Sequence, residues 1–344
     1  MISVKKIAEL AKVSPSTVSN VIHGRFGKMK AETLERVRRA LKENNYVSNM
    51  NGRTLGRHGS KIIAVVMDYL PRDKLNIAQD PFFGGIIGAL EQEVRTAGYF
   101  MMLYISAGVE ESLRMAASWN VEGLIATGCN AENCRQFIAG AGAFNIPIVF
   151  IDAYYEGGPS FYNVGLQDRL GGFMMAGYLA RMGHRRIAFL ADAREPVGVD
   201  YERREGCKEA LEKHGAPFSA EDYVYISNLP DERRRILKDF IKRRLRRYSA
   251  LFFASDYLAA DSLCLFQDKG VRVPQDVSAA GFDDNIFARH ARPQLTTIKQ
   301  DISQKAFFAV RLLIARMRKE PISDSRIMLP VSLVIRRSVR DLRG

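Results

Sequence analysis

The sequence predicts an α/β protein: a three-helix head containing a helix-turn-helix, followed by two Rossmann-like lobes. Three observations predict it. Residues 1–61 are strongly basic and break into short amphipathic helices. From Lys61 onward, near-continuous apolar runs alternate with helical ones, the pattern of parallel sheets covered on both faces. These runs are also more than one five- or six-stranded sheet needs, so two lobes with a cleft at their strand ends are the economical reading. A chain of 344 residues has room for such a body and a head. Hydrophobic residues at 47% and charged residues at 26% exclude a mostly disordered or fibrous chain.

The formal net charge of +13 is unevenly placed. Residues 1–61 hold 13 Lys plus Arg against 4 Glu and no Asp, a net of +9, and the rest of the chain carries only +4. A polyanion partner for the head and a nearly neutral body with another task follow from that asymmetry. No apolar run is long enough to span a membrane, and the N-terminus reads MISVKKIAELAKVS, with no signal peptide, so a cytoplasmic protein with no membrane partner is expected. Cys129, Cys134, Cys207 and Cys264 are irregularly spaced in apolar surroundings and read as buried free thiols. The five histidines lack metal-ligand spacing, so no metal and no cofactor is expected.

In the head, Ser3 is placed to cap a first helix with Val4, Ile7, Ala8 and Ala11 on its apolar side. Ser14 and Pro15 start a second helix, with Val18, Val21 and Ile22 inward and Ser16, Thr17, Ser19 and Asn20 outward. A third helix runs from about Ala31 to Asn44, with Leu34, Val37 and Leu41 inward and Arg36, Arg38, Arg39 and Lys42 toward water. A helix fits the DNA major groove, and short side chains near its start let it approach base edges. Asn20 is placed to pair with adenine, and Ser16 and Thr17 to touch phosphate or base. Lys5, Lys6 and Arg25 are placed to neutralise the backbone. A three-helix cap with a merely solvated basic face has the same periodicity.

The stretch KKIAELAKVSPSTVSNVIHG, followed by KAETLERVRRALKENNY, resembles the head of the lactose-repressor family of bacterial transcription regulators. Ile7, Ala8, Ala11, Val13, Ser14, Thr17, Val18, Ser19, Val21, Tyr46 and Asn49 match its pattern. Lys6, Lys12, Asn45 and Ser48 stand where the family has an acid, two glycines and a proline. The head is assigned to residues 1–48. Residues 49–60, NMNGRTLGRHGS, read as a flexible linker on composition. The resemblance implies a hinge helix there, with Arg53 and Leu55 on its motif and Leu55 as a minor-groove wedge, although Gly52 replaces the usual alanine.

The body reads as strands at 62–67, 99–106, 123–128, 146–152, 186–191, 223–226, 250–255 and 277–282. Helices lie between them at 82–98, 110–118, 131–139, 168–182, 202–214, 231–246 and 257–269. The resemblance extends over this body through Asp80–Phe83, Gly171-Gly172, Gly183–Ile187, Arg203–Gly206, Ser255-Asp256, Val273–Ser278, Gly281–Asp284, Pro293–Thr297 and Leu329–Ser338. It implies lobes of periplasmic-binding-protein type, 61–164 with 297–327 and 165–296 with 328–340. The chain then crosses between them near 164, 296 and 328, and a helix at about 303–318 returns to the first lobe.

Asp152, Ser255 and Asp283 lie just past strand ends, Arg203 begins a helix, and Phe82 and Phe83 follow the first strand's loop. In the resembled family these positions line an effector cleft. Acids and Arg would bind sugar hydroxyls or base edges there, under an aromatic plate. Capping or loop-tying by the two acids, and plain core packing by the two phenylalanines, remain open. Asp256 either orients the ligand shell or caps the helix after it, and His184 reads as structural. The run DERRRILKDFIKRRLRR at 231–247, with nine basic residues, reads as a solvated face.

The resemblance implies a homodimeric regulator, in the sense of repression, that binds a pseudo-palindromic double-stranded operator under a small-molecule effector, a sugar before a nucleobase. No leucine-heptad tail follows Arg343, hence the dimer. No Ser–His–acid set, glycosidase carboxylate pair or phosphate loop is evident, so no enzyme is expected. The rival is a sugar-binding or sugar-modifying α/β protein without a regulatory role.

Overall fold

The computed structural model describes residues 4–22, 25, 27, 29–44, 59–68, 77, 80–106, 108–158 and 160–343. The chain divides into two compact units, Met1–Ser60 and Lys61–Gly344. Ser3, most of the expected hinge, and Arg53 and Leu55 with it, lie outside the described residues.

In the first unit three helices, α1 (Val4–Leu10), α2 (Pro15–Ile22) and α3 (Ala31–Glu43), enclose Ile7, Ala8, Ala11, Val18, Val21, Val37 and Ala40. The turn between α1 and α2 puts Lys12 at φ 50°, the left-handed region that favours glycine. That explains why a glycine is usual there. Ser14 Oγ accepts from the Thr17 N–H at 3.1 Å and caps α2. Arg36 reaches from α3 to donate its Nε–H to the Ala11 carbonyl at 2.8 Å, tying the third helix to the turn.

The second unit holds two six-stranded sheets. The first contains β1 (Ile62–Asp68), β2 (Phe100–Ser106), β3 (Gly123–Thr127), β4 (Ile148–Ile151), β5 (Asn163–Leu166) and β11 (Arg326–Leu329), in the order β11-β5-β4-β3-β1-β2. The second contains β6 (Ile187–Ala191), β7 (Tyr223–Tyr225), β8 (Ala250–Phe253), β9 (Ser278–Asp283), β10 (Thr296–Lys299) and β12 (Ser332–Val334), in the order β12-β10-β9-β8-β6-β7. All pairings are parallel except β10 with β12. The two sheets share one pattern, each opening on a strand whose neighbours lie to both sides. β5, β10, β11 and β12 are additions to the strands read from the sequence, and they fall where the chain changes sheet. It crosses after Leu166, after Lys299 and at Pro330, a few residues beyond 164, 296 and 328, because each strand completes its pairing first.

Helices cover both faces. α4 (Pro81–Thr96), α5 (Val109–Ser118), α6 (Ala131–Ala143) and α12 (Ile302–Met317) flank the first sheet, and α12 packs on α4 and on β3, β4 and β5. Around the second sheet are α7 (Asp168–Arg181), α8 (Gly198–Lys213), α9 (Pro230–Arg243), α10 (Asp256–Asp268) and the short α11 (Ile286–His290). α7 and α8 touch backbone to backbone. A Cβ on Gly172 would lie 2.0 Å from the Arg203 carbonyl oxygen, and one on Gly206 would lie 1.8 Å from that of Arg169. The two glycine motifs therefore do one job together: they set the helix spacing that places Arg203.

Two readings need correction. Cys264 is exposed, on the outer side of α10, whereas Cys129, Cys134 and Cys207 are buried, and all four are free. Within the basic run, Arg233 is fully buried rather than solvated. It donates to Asp261 at 2.7 Å and to the Ser227 carbonyl at 3.0 Å, which repays part of its desolvation. Its neighbours do face water, several of them paired with acids: Arg234 with Asp268, Arg235 with Glu232 and Arg243 with Asp239.

Gly206→Ala forces α7 and α8 apart and should cost about 1–3 kcal/mol or more, the usual penalty of overpacking. The urea midpoint of the full chain's second unit measures it, and an unchanged midpoint removes the close-approach argument.

Candidate functional site

The C-terminal ends of the two sheets border one cavity of about 1070 Å³. Phe82, Phe83, Asp152, Arg203, Ser255 and Asp283 all line it, so the six body residues singled out in the sequence come together. Local chemistry explains each placement. Asp80 caps α4, accepting from the Phe82 N–H at 2.8 Å and the Phe83 N–H at 3.2 Å. With Pro81 at the first helical position, this cap sets both aromatic rings at the helix start, edge to face at 5.4 Å. Both rings are half-buried at the cavity wall, and Phe83 also packs against the core beneath it.

Arg203 sits one turn into α8 and is almost wholly buried. Its Nε–H donates to Asp168 Oδ1 at 2.7 Å, its Nη1 to the Ala254 carbonyl at 2.7 Å, and its guanidinium lies over the Phe282 ring at 3.7 Å. Burial works against its charge, but Asp168, Asp283 and Asp200 outweigh burial and hold its pKa above the usual range. Tyr154 donates its hydroxyl hydrogen to the other Asp168 oxygen.

A second polar chain runs from one sheet to the other. Lys305 on α12, with no exposed surface, donates to Asp152 Oδ2 at 2.6 Å and to Gln300 Oε1 at 2.9 Å. Gln300 in turn donates to Asp283 Oδ1 at 2.6 Å. Asp152 follows β4 of the first sheet and Asp283 ends β9 of the second, so this polar chain joins the two lobes through the crossover after β10. Both acids have positive φ, 54° and 121°, the kind of strain that a surrounding network must hold in place. Asp152 Oδ1 is buried without a hydrogen-bond partner. Burial raises the Asp152 pKa although Lys305 pulls it down.

Ser255 is the cap of α10, its Oγ accepting from the Leu258 N–H at 3.3 Å. Asp256 is fully buried and does not cap that helix. It accepts from the Thr297 hydroxyl at 2.6 Å and from the Asn285 N–H at 3.1 Å, so it fixes the loop after β9. His184 Nε2 contacts the Arg340 carbonyl at 3.0 Å and pins the C-terminal tail. Sequence reasoning missed Lys305, Gln300, Asp168, Tyr154, Asp192 and Asp200. One signal was there to read: Asp200 precedes Arg203 by about one helical turn, so both point to the same side of α8.

In the head, Lys5, Lys6, Ser16, Asn20 and Arg25 are exposed, as a DNA contact requires. Lys6 is ion-paired with Glu9 at 2.9 Å. Thr17 is half-buried, and its hydroxyl lies 2.9 Å from Ser14 Oγ, within the helix cap. Among the described residues no His, Cys, Asp and Glu are grouped to hold a metal ion, and no helix is long and apolar enough to cross a membrane.

Residues 3–49 match the model of the bacterial regulatory proteins of the lacI family, and residues 176–339 match the periplasmic binding protein-like domain. The chain is 28% identical to the transcriptional regulator GalR of Escherichia coli (strain K12), over 98% of this chain and 96% of that protein. Among solved structures, a transcriptional regulator CelR–cellobiose complex is 26% identical with a TM-score of 0.72, covering 98% of this chain and all of that one. The lac repressor dimer bound to operator and an anti-inducer superposes with a TM-score of 0.85 over 98% and 99% of the two chains. At 23% identity it shows the fold.

Burial, opposed by Arg203 and the Gln300 hydrogen bond, pushes Asp283 up to about 7, and burial with the neighbouring Asp192 pushes Asp200 up to about 7. Both folded values exceed the ordinary 3.8, so between those limits the folded state holds more protons than the unfolded chain. Their contribution to stability is complete below about pH 4 and is lost as pH rises through 7. The thermal midpoint of the second unit should therefore fall between pH 5 and pH 8 in calorimetry, with a flatter fall in Asp283→Asn. A midpoint that climbs over this interval contradicts the assignment.

Proposed function

The chain belongs to the lactose-repressor family of bacterial transcription regulators, and on that premise we propose that it is a repressor whose paired heads grip a two-fold symmetric operator while each body takes a sugar as effector. The observation that carries the effector half is the convergence of all six body residues on one cavity of about 1070 Å³ between the sheets. A pyranose or furanose suits it. Its hydroxyls donate to Asp152 and Asp283, its ring oxygen accepts from Arg203, and its C–H face rests on Phe82 or Phe83. A purine asks for two parallel aromatic plates, whereas Phe82 and Phe83 stand edge to face at an interplanar angle of 71°. The relative solved with cellobiose supports the sugar class.

In this reading the ligand draws together the two lobes, one built on the first sheet and the other on the second. Closure alters how two copies pair, and with it their affinity for DNA: a population shift, with no chemical step. On the head side, Asn20 reads a base, and Ser16, Thr17, Lys5, Lys6 and Arg25 hold the backbone, joined by Arg53 and Leu55 from the hinge. The work is done in the cytoplasm, where the operator is.

Three measurements test the proposal. Operator affinity of the full chain in a gel-shift assay should respond to a sugar that calorimetry shows to bind, and a sugar that binds without changing DNA affinity overturns the regulatory reading. Arg203→Lys keeps the charge but loses the planar fork, so ligand affinity should fall tenfold or more. Asn20→Ala should cost about 1–3 kcal/mol of discrimination at a single operator position. Competition with single-base operator variants reads it, and an unchanged preference at every position removes Asn20 as the base reader.

A further inference from the structure

We infer that the outer face of α9 and the turn after it form a second, sequence-independent site for duplex DNA, built by Lys238, Lys242, Arg243, Arg246 and Arg247. The inference goes beyond the reading of the head as a DNA reader and takes from it only the source of the duplex.

The positive charge of the body is concentrated here. Residues 231–247 hold nine Lys plus Arg against Asp231, Glu232 and Asp239, a net of +6, whereas residues 62–344 as a whole carry +4. Without this run the body is net acidic, at −2. The head shows the same concentration, and a strong patch of one sign attracts a polyanion. Packing decides which way the charge points. Leu237, Phe240, Leu245 and Tyr248 are buried, with Phe240 and Tyr248 stacked at 6.0 Å, and Arg233 is tied inward to Asp261. That leaves Lys238, Lys242, Arg243, Arg246 and Arg247 exposed. Arg186, also exposed, stands beside them at the start of β6, where its carbonyl accepts from the Ser249 N–H at 2.9 Å. None of these residues lines the cavity, which borders the opposite ends of the same strands.

The face is charged and largely uncommitted. Lys238 and Lys242, one turn apart on α9, and Arg246 in the 3₁₀ turn Leu245–Arg247 make no ion pair among the described residues. Arg243 pairs with Asp239 at 2.6 Å and Arg247 with Glu221 at 3.3 Å, but all four side chains are at least half exposed. Exposed pairs of this kind contribute about 0–1 kcal/mol, so a phosphate can replace the acid at little cost.

The chemistry of the face selects among anionic partners. A lipid surface asks for a free apolar side, and that of α9 is spent on the core, Ile236 and Ile241 included. Single-stranded nucleic acid asks for aromatic platforms, and Phe240 and Tyr248 are buried. A duplex backbone asks only for closely spaced cations, and the forked donors of three arginines suit its phosphates. The 14 residues of α9 span about 21 Å, the reach of several phosphates along one strand. An acidic protein lacks the advantage of proximity: a chain whose head holds DNA keeps flanking duplex at high local concentration.

The test fixes a random-sequence duplex of about 40 base pairs to beads, saturates it with the full chain at about 50 mM salt and measures capture of a second, fluorescent copy. Whichever site takes the first duplex, the other should hold the second. The triple variant Lys238→Glu, Lys242→Glu, Arg246→Glu, checked for an unchanged thermal midpoint, should capture at least fivefold less of the second duplex while staying on the first. Its Gln counterpart, which removes charge without reversing it, should fall between the two. A control with the same change of charge at exposed positions of the first lobe, Arg311→Glu, Arg318→Glu, Lys319→Glu, should capture as the parent does. No capture by the parent, equal capture by the α9 variant, or an equal loss in the control overturns the inference and leaves the operator reading in place. So does release of the second duplex by polyglutamate or single-stranded RNA at lower concentration than by free duplex, which would assign the face to another partner. Failure of the parent to stay on the first duplex removes the inference and the DNA reading of the head together.

Discussion

Burying Arg203 and Lys305 takes two positive charges out of water, and the cleft has its form because carboxylates at strand ends and helix starts meet them there. An uncompensated buried charge costs several kcal/mol, so each cation demands a partner of fixed geometry. Arg203 finds Asp168 on the neighbouring helix, at a distance set by the close approach of Gly172 to the Arg203 backbone and of Gly206 to that of Arg169. Lys305 finds Asp152 on the first sheet and, through Gln300, Asp283 on the second. The first pair fixes the floor of one lobe, and the second spans the crossover between lobes. A ligand that engages Asp152 and Asp283 therefore acts on both ends of the polar chain that links the two lobes.

The sheets were legible because a parallel strand buried on both faces is written as an unbroken apolar run: IIAVVM, GLIATG and ALFFAS carry no other reading. The four strands that sequence reasoning left out lack that signature. Asn163–Leu166 contains Asn and Gly, Thr296–Lys299 opens on two threonines, and β11 and β12 are edge strands with exposed positions. Short strands whose neighbours come from distant sequence have no local signal, because their partners, not their own residues, supply the stabilisation.

For the site, the residues that end strands could be found, and the residues that tie them could not. Lys305 lies in KAFFAVRLL, where a lysine in a helix ordinarily points to water. Only the meeting of α12 with Asp152 makes it a core residue. Arg233 misleads for the same reason: in a run of nine basic side chains, nothing local marks the one that is wholly buried. Asp168 and Arg203 are 35 residues apart, and their pairing is a product of helix packing. In the head the outcome is more even. Ser14 and Pro15 started α2 as read, but Thr17 shares its hydroxyl with the helix cap, which leaves Asn20 the better placed of the two for a base edge.

The departures from the family pattern bear on stability more than on fold. Lys12 adopts a left-handed conformation that costs a non-glycine residue roughly 1–2 kcal/mol. Yet the turn stands, because Arg36 fastens its Ala11 carbonyl to α3 and the Ser14 cap follows at once. A lysine there also adds positive charge beside a surface already rich in it, which favours any polyanion regardless of sequence. The same trade recurs in the cleft, where Asp152 and Asp283 take backbone conformations at φ 54° and 121° that put their carboxylates at the cavity wall. In both units a strained backbone position is held by a buried or partly buried hydrogen bond to a distant helix. What the chain gives up in local stability it converts into charge placed where a ligand would meet it.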